Sequence, residues 1–326
     1  MDILILMFVL FMFAVGAMTY VYAFRGQARF ESLTEYLRKG WPIFAPLNCT
    51  LYMVTQKRAS KPIMDVKDFP ELQILQDNWQ VIRDEVLELY KSKALDATGD
   101  SANTSYYDIG FRTFYKYGWR KFYLNWYGYT HTSAQKSCPK TVELLSRVPS
   151  VNGAMISVLP PQSKLTRHLD PVACSLRYHL GLATPEDDNC YINVDQTSYS
   201  WRDGDAFLFD ETYLHYVFNN TDKTRLILMC DVNRPTNFIG KIINGTYKIL
   251  MKITVVPNTN EDKRGLVNVV FSSLAPILAK SKSLKQTNRK AYLALKYSVN
   301  TALIALLLLL VAGFIDLVDD LIDYVL

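Results

Sequence analysis

The chain has 326 residues, enough for about two domains. Apolar residues make up 49% of it and charged residues 21%, a composition that excludes an intrinsically disordered protein. The net charge of +5 is too small to indicate a nucleic-acid-binding protein, and we expect no nucleic-acid partner. The 5 cysteines are odd in number and form no C-x-x-C motif, which favours free thiols in a reducing compartment.

The N-terminal end predicts a membrane anchor over residues 1–25. Residues 3–24 carry no charge and, as a helix of about 33 Å, are long enough to cross a bilayer. A cleaved signal peptide is the alternative, but the run has no positively charged n-region. Four basic residues follow the run: Arg25, Arg29, Arg38 and Lys39. By the positive-inside rule, they place the downstream chain in the cytoplasm.

The C-terminal end has a second uncharged run over residues 299–315, with basic residues before it and aspartates after it. At about 26 Å as a helix, this run is short for a span. We expect a transmembrane segment over residues 299–326, with an interfacial or core helix as the alternative. Residues 236–298 contain two amphipathic, basic stretches. Their charges either bind anionic lipid headgroups or form a solvated face, and the sequence leaves both open.

The central region predicts a helical cap followed by many strands. Apolar periodicity predicts helices over residues 70–94 and 133–147. The aromatic residues of 106–129 are more typical of core strands than of a substrate-binding surface. From residue 151 onward, turn residues separate short β-rich runs, at residues 154–159, 175–182, 191–194, 198–202, 206–210 and 224–232. Strands at this spacing with no helix between them predict a mainly β protein, a sandwich or jelly roll.

Three residues in the strand region form a candidate metal site. His168 and Asp170 are two residues apart, so on a strand their side chains would share a face. His215 follows several predicted strands later, and a rolled sheet would bring it alongside. Two histidines and one carboxylate form the facial triad of non-haem Fe(II) oxygenases, which leaves coordination positions open for substrate and O2.

Candidate residues for a dicarboxylate cosubstrate, 2-oxoglutarate, lie in the same region. Arg225 begins an apolar strand, and Arg177 shares a strand face with His179. A buried guanidinium is costly without an anionic partner, and its planar donors suit a carboxylate. The alternative for each arginine is a buried salt bridge to an acidic residue of the protein.

Three further polar residues have less specific expectations. We expect Asp210 and Glu211 to be loop groups that orient His215, or to be purely structural. His131 lies in a polar stretch before a predicted helix, and we expect it at the surface.

These residues lie within longer motifs that resemble a known family. The motifs are "VPSVNGAMISVLPP" (148–161), "HLDPVACSLRYHLGL" (168–182) and "YSWRDGDAFLFDETYLHYVFNNTDKTRLILMCDVNRP" (199–235). They resemble the aspartyl/asparaginyl β-hydroxylase family of Fe(II)/2-oxoglutarate dioxygenases. Upstream segments 68–85, 118–127 and 137–145 are similar to the bacterial membrane-bound lipid A 2-hydroxylases within it. The resemblance covers about residues 40–235 and leaves the chain after Thr236 unmatched.

The resemblance implies a dioxygenase domain over residues 40–235, with a double-stranded β-helix (jelly-roll) core at about 150–235. It implies iron ligands at His168, Asp170 and His215. It implies 2-oxoglutarate contacts from Ser157, Arg177, His179 and Arg225. No residue beyond the metal centre is assigned a catalytic role. Animal protein hydroxylases of the family lack a carboxylate at the position of Asp170, so the resemblance favours the bacterial lipid branch.

The expected function is Fe(II)- and 2-oxoglutarate-dependent hydroxylation of C2 of an acyl chain on lipid A or a related acylated lipid. The expected place is the cytoplasmic face of a bacterial inner membrane, with O2 and membrane lipids as further partners. One alternative is hydroxylation of aspartyl or asparaginyl side chains in proteins. Another is a jelly-roll metal-binding or sensing module without turnover.

Overall fold

The computed structural model describes residues 3–96, 103–108, 110–111, 114–302, 305 and 313. The chain divides into two units, Met1–Val269 and Val270–Leu326. The first unit carries both sheets and the candidate site. The run predicted to form a C-terminal membrane segment lies largely outside the described residues.

The described α-helices begin with a long apolar one and otherwise lie before and after the strand region. In chain order they are α1 (Ile3–Ala23), α2 (Leu33–Lys39), α3 (Ala45–Val54), α4 (Gln73–Asp77), α5 (Trp79–Lys91), α6 (Thr132–Ser137), α7 (Pro139–Ser146), α8 (Phe238–Met251), α9 (Leu266–Ser273) and α10 (Ala275–Thr287). Residues 289–302 are helical as well. Short 3-10 turns precede α3 and α4. Within the described residues, the stretch Ile5–Ala23 of α1 is long and apolar enough to cross a membrane.

The described strands form two antiparallel sheets. In chain order they are β1 (Ile63–Met64), β2 (Arg120–Trp126), β3 (Tyr129–Thr130), β4 (Val151–Leu159), β5 (Ser163–His168), β6 (Ser175–Ala183), β7 (Cys190–Val194), β8 (Thr197–Ser200), β9 (Ala206–Phe209), β10 (His215–Asn219) and β11 (Arg225–Asn233). The large sheet has the order β1-β9-β6-β11-β4-β2-β3, and the small sheet has the order β5-β10-β7-β8.

The connections between the sheets define a jelly roll. From β4 to β7 the chain alternates between the large and the small sheet at every step. After the hairpin of β7 and β8, it alternates again through β9, β10 and β11. Four strands of the large sheet thus interleave in sequence with the four strands of the small sheet. The jelly-roll core expected from the strand pattern is therefore present.

Alternation along the buried strands separates two hydrophobic cores. On β11, Leu226 and Leu228 face the cap helices, whereas Ile227 and Met229 face the small sheet. The cap core packs α5 and α7 against the outer face of the large sheet. The inner core fills the space between the two sheets. By the same alternation, odd-numbered polar residues on β4, β6 and β11 lie on the inner face, between the sheets.

The structure differs from the sequence predictions in the cap and in two strands. The helix predicted over 70–94 is interrupted at Asn78, and the helix predicted over 133–147 is interrupted at Cys138, where Pro139 follows. Within the aromatic segment 106–129, most of the residues that lie in strands belong to β2. The sequence missed β5 and β10, whose polar residues mask the alternation. All 5 cysteines are free, as expected.

Candidate active site

Two histidines meet where strands β5 and β10 pair. The antiparallel register places His215 opposite His168, and their ring centroids are 4.2 Å apart. Asp170 follows two residues after the end of β5, with its Oδ1 atom 3.5 Å from Nε2 of His168. One ligand atom from each of the three residues lies within 4.8 Å of the others. The structure thus brings together the three residues predicted to bind a metal.

Backbone carbonyls orient both imidazole rings. Nδ1 of His168 lies 2.8 Å from the carbonyl oxygen of Thr166, and Nδ1 of His215 lies 2.9 Å from that of Tyr213. These contacts require a proton on Nδ1 and leave Nε2 as the lone-pair donor of each ring. Burial, and then the neighbouring His168, lower the pKa of His215 to about 3, and burial lowers the pKa of His168. Both rings are therefore neutral at physiological pH.

Asp170 is held by the loop backbone and not by a strand. Its amide nitrogen donates to the carbonyl of Glu211 at 2.9 Å, and the preceding Leu169 donates to the carbonyl of Lys39 at 3.1 Å. The sequence argument placed His168 and Asp170 on one strand, but β5 ends at His168. The carboxylate reaches the histidines because the loop turns toward the segment before His215.

Arg177 contacts three carboxyl groups. Its Nη2 atom is 2.9 Å from Oδ2 of Asp170, its Nη1 atom is 3.2 Å from Oδ1 of Asp231, and it also pairs with Glu211. Burial opposes ionisation of Asp170, but the Arg177 guanidinium holds the pKa of that carboxyl below its usual value. Burial raises the pKa of Glu211 to about 8 and also raises the pKa of Asp231, so Asp170 is the carboxyl group of the three whose ionised form is favoured.

Arg225 lies at the other side of the inner core and has no acidic partner among the described residues. It is 1% exposed, and its Nη2 atom donates to Oγ of Ser157 at 3.3 Å. Its guanidinium carbon lies 4.5 Å from the centroid of the Trp201 ring. Nε of Arg225 has no hydrogen-bond partner. Burial lowers the pKa of Arg225 to about 10, as expected for a cation without a counter-ion.

His179 lies between Arg225 and the histidine pair. Nε1 of Trp201 donates to Nδ1 of His179 at 3.3 Å, and Nε2 of His179 has no hydrogen-bond partner. The Phe209 ring contacts both His179, at 5.2 Å, and His215, at 5.6 Å, between ring centroids. Trp201 and Phe209 were not singled out from the sequence. Their aromatic type was the available signal, but only the tertiary structure places them here.

A buried ion-pair network ties the end of α1 to the loop before His215. Asp210 is 2.8 Å from Nη2 of Arg25 and 2.7 Å from Nη2 of Arg234, and all three side chains are buried. Arg25 also lies over the Tyr52 ring at 3.4 Å. These contacts join the juxtamembrane chain, the site loop and the end of β11. The arginines hold the pKa of Asp210 low, at about 2, against the effect of burial.

The structure separates the two alternatives for Asp210 and Glu211 and overturns the expectation for His131. Asp210 pairs with two arginines and Glu211 pairs with Arg177, while the ring of His215 is held by a backbone carbonyl, so the purely structural alternative fits both residues better. His131 is not at the surface. It is fully buried, with Nε2 2.9 Å from the carbonyl of Val256, because the chain after α8 folds back over the polar stretch before α6.

The residues present fit a divalent metal and a dicarboxylate. Two neutral imidazoles and one ionised carboxylate are a donor set that suits Fe(II). A buried guanidinium with an unpaired nitrogen suits an anionic ligand. The four residues predicted to contact 2-oxoglutarate fall into two groups. Ser157, His179 and Arg225 lie near one another across the inner core, whereas Arg177 is engaged by carboxyl groups on the metal side.

The chain is similar to proteins of known activity. Residues 76–235 match the model of the aspartyl/asparaginyl beta-hydroxylase family. An ornithine lipid ester-linked acyl 2-hydroxylase from Rhizobium tropici is 30% identical over 58% of this chain and 66% of that protein. The human aspartyl/asparaginyl beta-hydroxylase is 31% identical over 49% of this chain and 21% of that protein.

A Pseudomonas putida prolyl-4-hydroxylase structure covers 36% of this chain and 72% of that chain at 15% identity, with a TM-score of 0.26. That likeness is too low to bear on the fold, which rests on the strand order. The matched region spans slightly less than two thirds of the Rhizobium protein and about a fifth of the human protein. The family resemblance expected from the motifs is confirmed over residues 76–235, which match the aspartyl/asparaginyl β-hydroxylase family.

Proposed function

We propose that this protein is an Fe(II)- and 2-oxoglutarate-dependent hydroxylase of acylated lipids. The observation that carries the proposal is the convergence of His168, Asp170 and His215 within 4.8 Å, with Nδ1 of both imidazoles held by backbone carbonyls. These three residues would hold Fe(II). The bound iron would couple the conversion of 2-oxoglutarate and O2 to succinate and CO2 with the conversion of one substrate C–H to C–OH.

Arg225 supports a carboxylate cosubstrate on the inner face of the jelly roll. A buried arginine without an acidic partner carries a desolvation cost that an anionic ligand would offset. Ser157 is fully buried beside it and would share the distal carboxylate of 2-oxoglutarate. The unpaired Nε2 of His179 lies between this end and the histidine pair, where it would contact the cosubstrate.

Arg177 is proposed to act on Asp170 in addition to the cosubstrate role that the motifs imply. Its contact with Oδ2 keeps that carboxyl ionised and leaves Oδ1 toward His168. The aromatic and aliphatic side chains around the site exclude water from the reacting C–H bond. The residues position the reactants, and no protein acid or base is required.

The proposed substrate class is an acylated lipid, hydroxylated at C2 of an acyl chain. The Rhizobium relative, named for acyl 2-hydroxylation of an ornithine lipid, supports this class. Within it we propose lipid A, with ornithine-type lipids as the other member to be tested. α1 would anchor the protein in a bacterial inner membrane, and the basic residues after it would keep the catalytic domain on the cytoplasmic face.

Mass spectrometry of lipids would test the proposal. The full chain is expressed in a bacterial host that makes lipid A and in one that makes ornithine lipid, and the lipids are extracted. We expect one added oxygen on an acyl chain of lipid A. His215→Ala should abolish the gain, whereas Tyr216→Ala on the outer face of the same strand should retain it. Unchanged lipids in both hosts would contradict the lipid assignment.

Hydroxylation of protein side chains is the second candidate, because the human relative is named for that activity. It predicts unchanged lipids and a gain of oxygen on aspartyl or asparaginyl residues of a peptide library. Succinate release coupled to peptides and absent with lipids would establish it.

A further inference from the structure

The last two turns of α1 pack against the chain's own residues and not only against lipid. Ala17 and Val21 are 5% and 8% exposed, in a cluster with Tyr36, Leu169 and Leu214. By contrast, side chains of the first half of α1, such as Phe8 and Phe11, are 64% and 63% exposed. α1 therefore passes from an exposed half to a half that packs against protein within its own length.

This packing fixes a depth for the site. α1 has 21 residues and is about 32 Å long, so its whole length is needed to cross a hydrocarbon core of about 30 Å. Val21 lies about 3 Å before the end of the helix along its axis, and it lines one small cavity together with Leu169 and Leu214. Leu169 and Leu214 therefore lie at the edge of the bilayer. Leu169 stands between two proposed metal ligands and Leu214 directly precedes the third, so the site lies at the same edge.

The elements beside α1 expose large apolar side chains in the same part of the molecule. α3 packs against α1, and α8 packs against α3 through Ile243 and Tyr247. The opposite sides of these elements are covered by nothing in the described structure. The large apolar side chains that are more than 45% exposed are, within residues 33–54, Leu33, Leu37, Trp41, Ile43 and Met53, and, on α8, Phe238, Ile239, Ile242, Ile249 and Leu250. Soluble surfaces rarely expose apolar side chains in such a group.

The charge on α8 indicates which partner covers it. The helix carries Lys241 and Lys248 and no acidic residue. An amphipathic helix with lysines beside an apolar face suits the boundary between anionic headgroups and acyl chains. The position of α8 next to α3, which itself contacts the end of α1, makes this face continuous with the proposed membrane span. A bilayer surface therefore fits better than a protein partner.

We propose that residues 33–54 and α8 form a membrane-facing platform, seated in the headgroup–acyl boundary, that holds the metal site at the depth of the acyl ester carbonyls. The inference rests on the proposed function and adds a basis for position selectivity. C2 of an acyl chain is bonded directly to the ester carbonyl carbon, which lies at that boundary. A site fixed at this depth reaches C2, whereas carbons further along the chain lie deeper in the bilayer.

Depth measurements on the full chain would test the platform. Single nitroxide labels are placed at Ile43→Cys and Ile242→Cys, with Val81→Cys on the cap helix α5 as the matched exposed apolar control. The half-buried Cys49 is replaced by serine in all three proteins. Each protein is reconstituted in vesicles of phosphatidylethanolamine and phosphatidylglycerol, and collision with O2 is compared with collision with a water-soluble nickel chelate.

We expect labels 43 and 242 to favour O2 and label 81 to favour the nickel chelate. Nickel access at 43 and 242 equal to that at 81 would place the platform in water and overturn the proposal. Shielding of both labels from both reagents would mean that another protein or a second copy covers the face, which would overturn it as well.

A functional measurement separates this inference from the proposed function. The double variant Ile242→Glu with Ile249→Glu should hydroxylate lipid in vesicles at least tenfold more slowly, with unchanged turnover of the same lipid in detergent micelles. Val81→Glu should hydroxylate lipid at the rate of the unmodified protein in both vesicles and micelles. If the unmodified protein hydroxylates lipid in neither medium, the proposed function fails while the label depths still stand. Equal loss in vesicles and micelles would contradict the platform alone.

Discussion

The carboxylate of Asp170 is divided between two partners: Oδ2 lies 2.9 Å from Nη2 of Arg177, and Oδ1 lies 3.5 Å from Nε2 of His168. Oδ1 thus faces the histidine pair, whereas Oδ2 is held by Arg177. Arg177 is in turn fixed by Glu211 and Asp231. The proposed ligand is therefore oriented before any metal binds.

Replacing Arg177 should weaken metal binding. Partners of metal ligands contribute 10–100-fold to affinity, so Arg177→Lys and Arg177→Met should raise the Kd for Mn(II) by about that factor. Anaerobic titration calorimetry would measure it, with Arg167→Ala as a neighbouring control that should bind normally. The lysine variant retains a cation among the three carboxyl groups, which protects the measurement against simple unfolding. A loss of 2-oxoglutarate affinity at unchanged metal affinity would instead indicate a cosubstrate role alone.

Replacing Arg225 should weaken binding of 2-oxoglutarate and leave metal binding intact. Arg225→Ala would leave the distal carboxylate of 2-oxoglutarate unpaired in a buried pocket, at a cost of about 3–5 kcal/mol. The Kd for 2-oxoglutarate should therefore rise by about 100-fold or more, with Mn(II) affinity retained. Arg202→Ala, which removes a more exposed arginine beside Trp201, is the matched control and should change neither value. Loss of the metal in Arg225→Ala would refute the assigned role.

The stability of the metal-free protein should fall in acid through His215. Its pKa is about 3 in the folded protein against 6.5 in the unfolded chain. The unfolded state therefore binds the extra proton, so this contribution is complete above pH 6.5 and is lost as the pH falls toward 3. His215 contributes at most about 1.4 kcal/mol per pH unit to the slope of the free energy of unfolding against pH.

Urea unfolding in the presence of a chelator, at several pH values between about 7 and 5, would measure that slope. His215→Gln should flatten it, and Tyr216→Phe should not. An identical slope in both variants would show that other groups account for the acid sensitivity.

Removing Asp210 should destabilise the fold strongly. Asp210→Ala leaves Arg25 and Arg234 buried without a shared anion, at a cost of about 3–5 kcal/mol in the free energy of unfolding. Glu143→Ala removes an exposed ion pair with Arg147 and should cost less than about 1 kcal/mol. Chemical denaturation in detergent would compare the two. Equal small effects would mean that water reaches the Asp210 network in solution.

Much of the jelly roll was predictable because buried strands have simple patterns. β4 and β11 consist mainly of apolar residues, β6 alternates apolar with other residues, and all three were predicted to within a few residues. β5 was missed because Leu165 is its only apolar residue, which suits an edge strand of the small sheet. β10 was missed because the polar residues at its ends, His215 and Asn219, mask the alternation. These two strands carry both histidines, so the site was predicted from residue types and not from its strands.

The sequence by itself determined the residue types of the candidate site, the membrane-length apolar helix and, through alternation, the strand face that Arg177 shares with His179. These follow from local periodicity and side-chain chemistry. Only the tertiary structure decided that Arg177 holds Asp170, that Arg225 has no acidic partner, and that the end of α1 packs beside the metal ligands. Such pairings join residues far apart in the chain, and no local pattern encodes which buried charges meet.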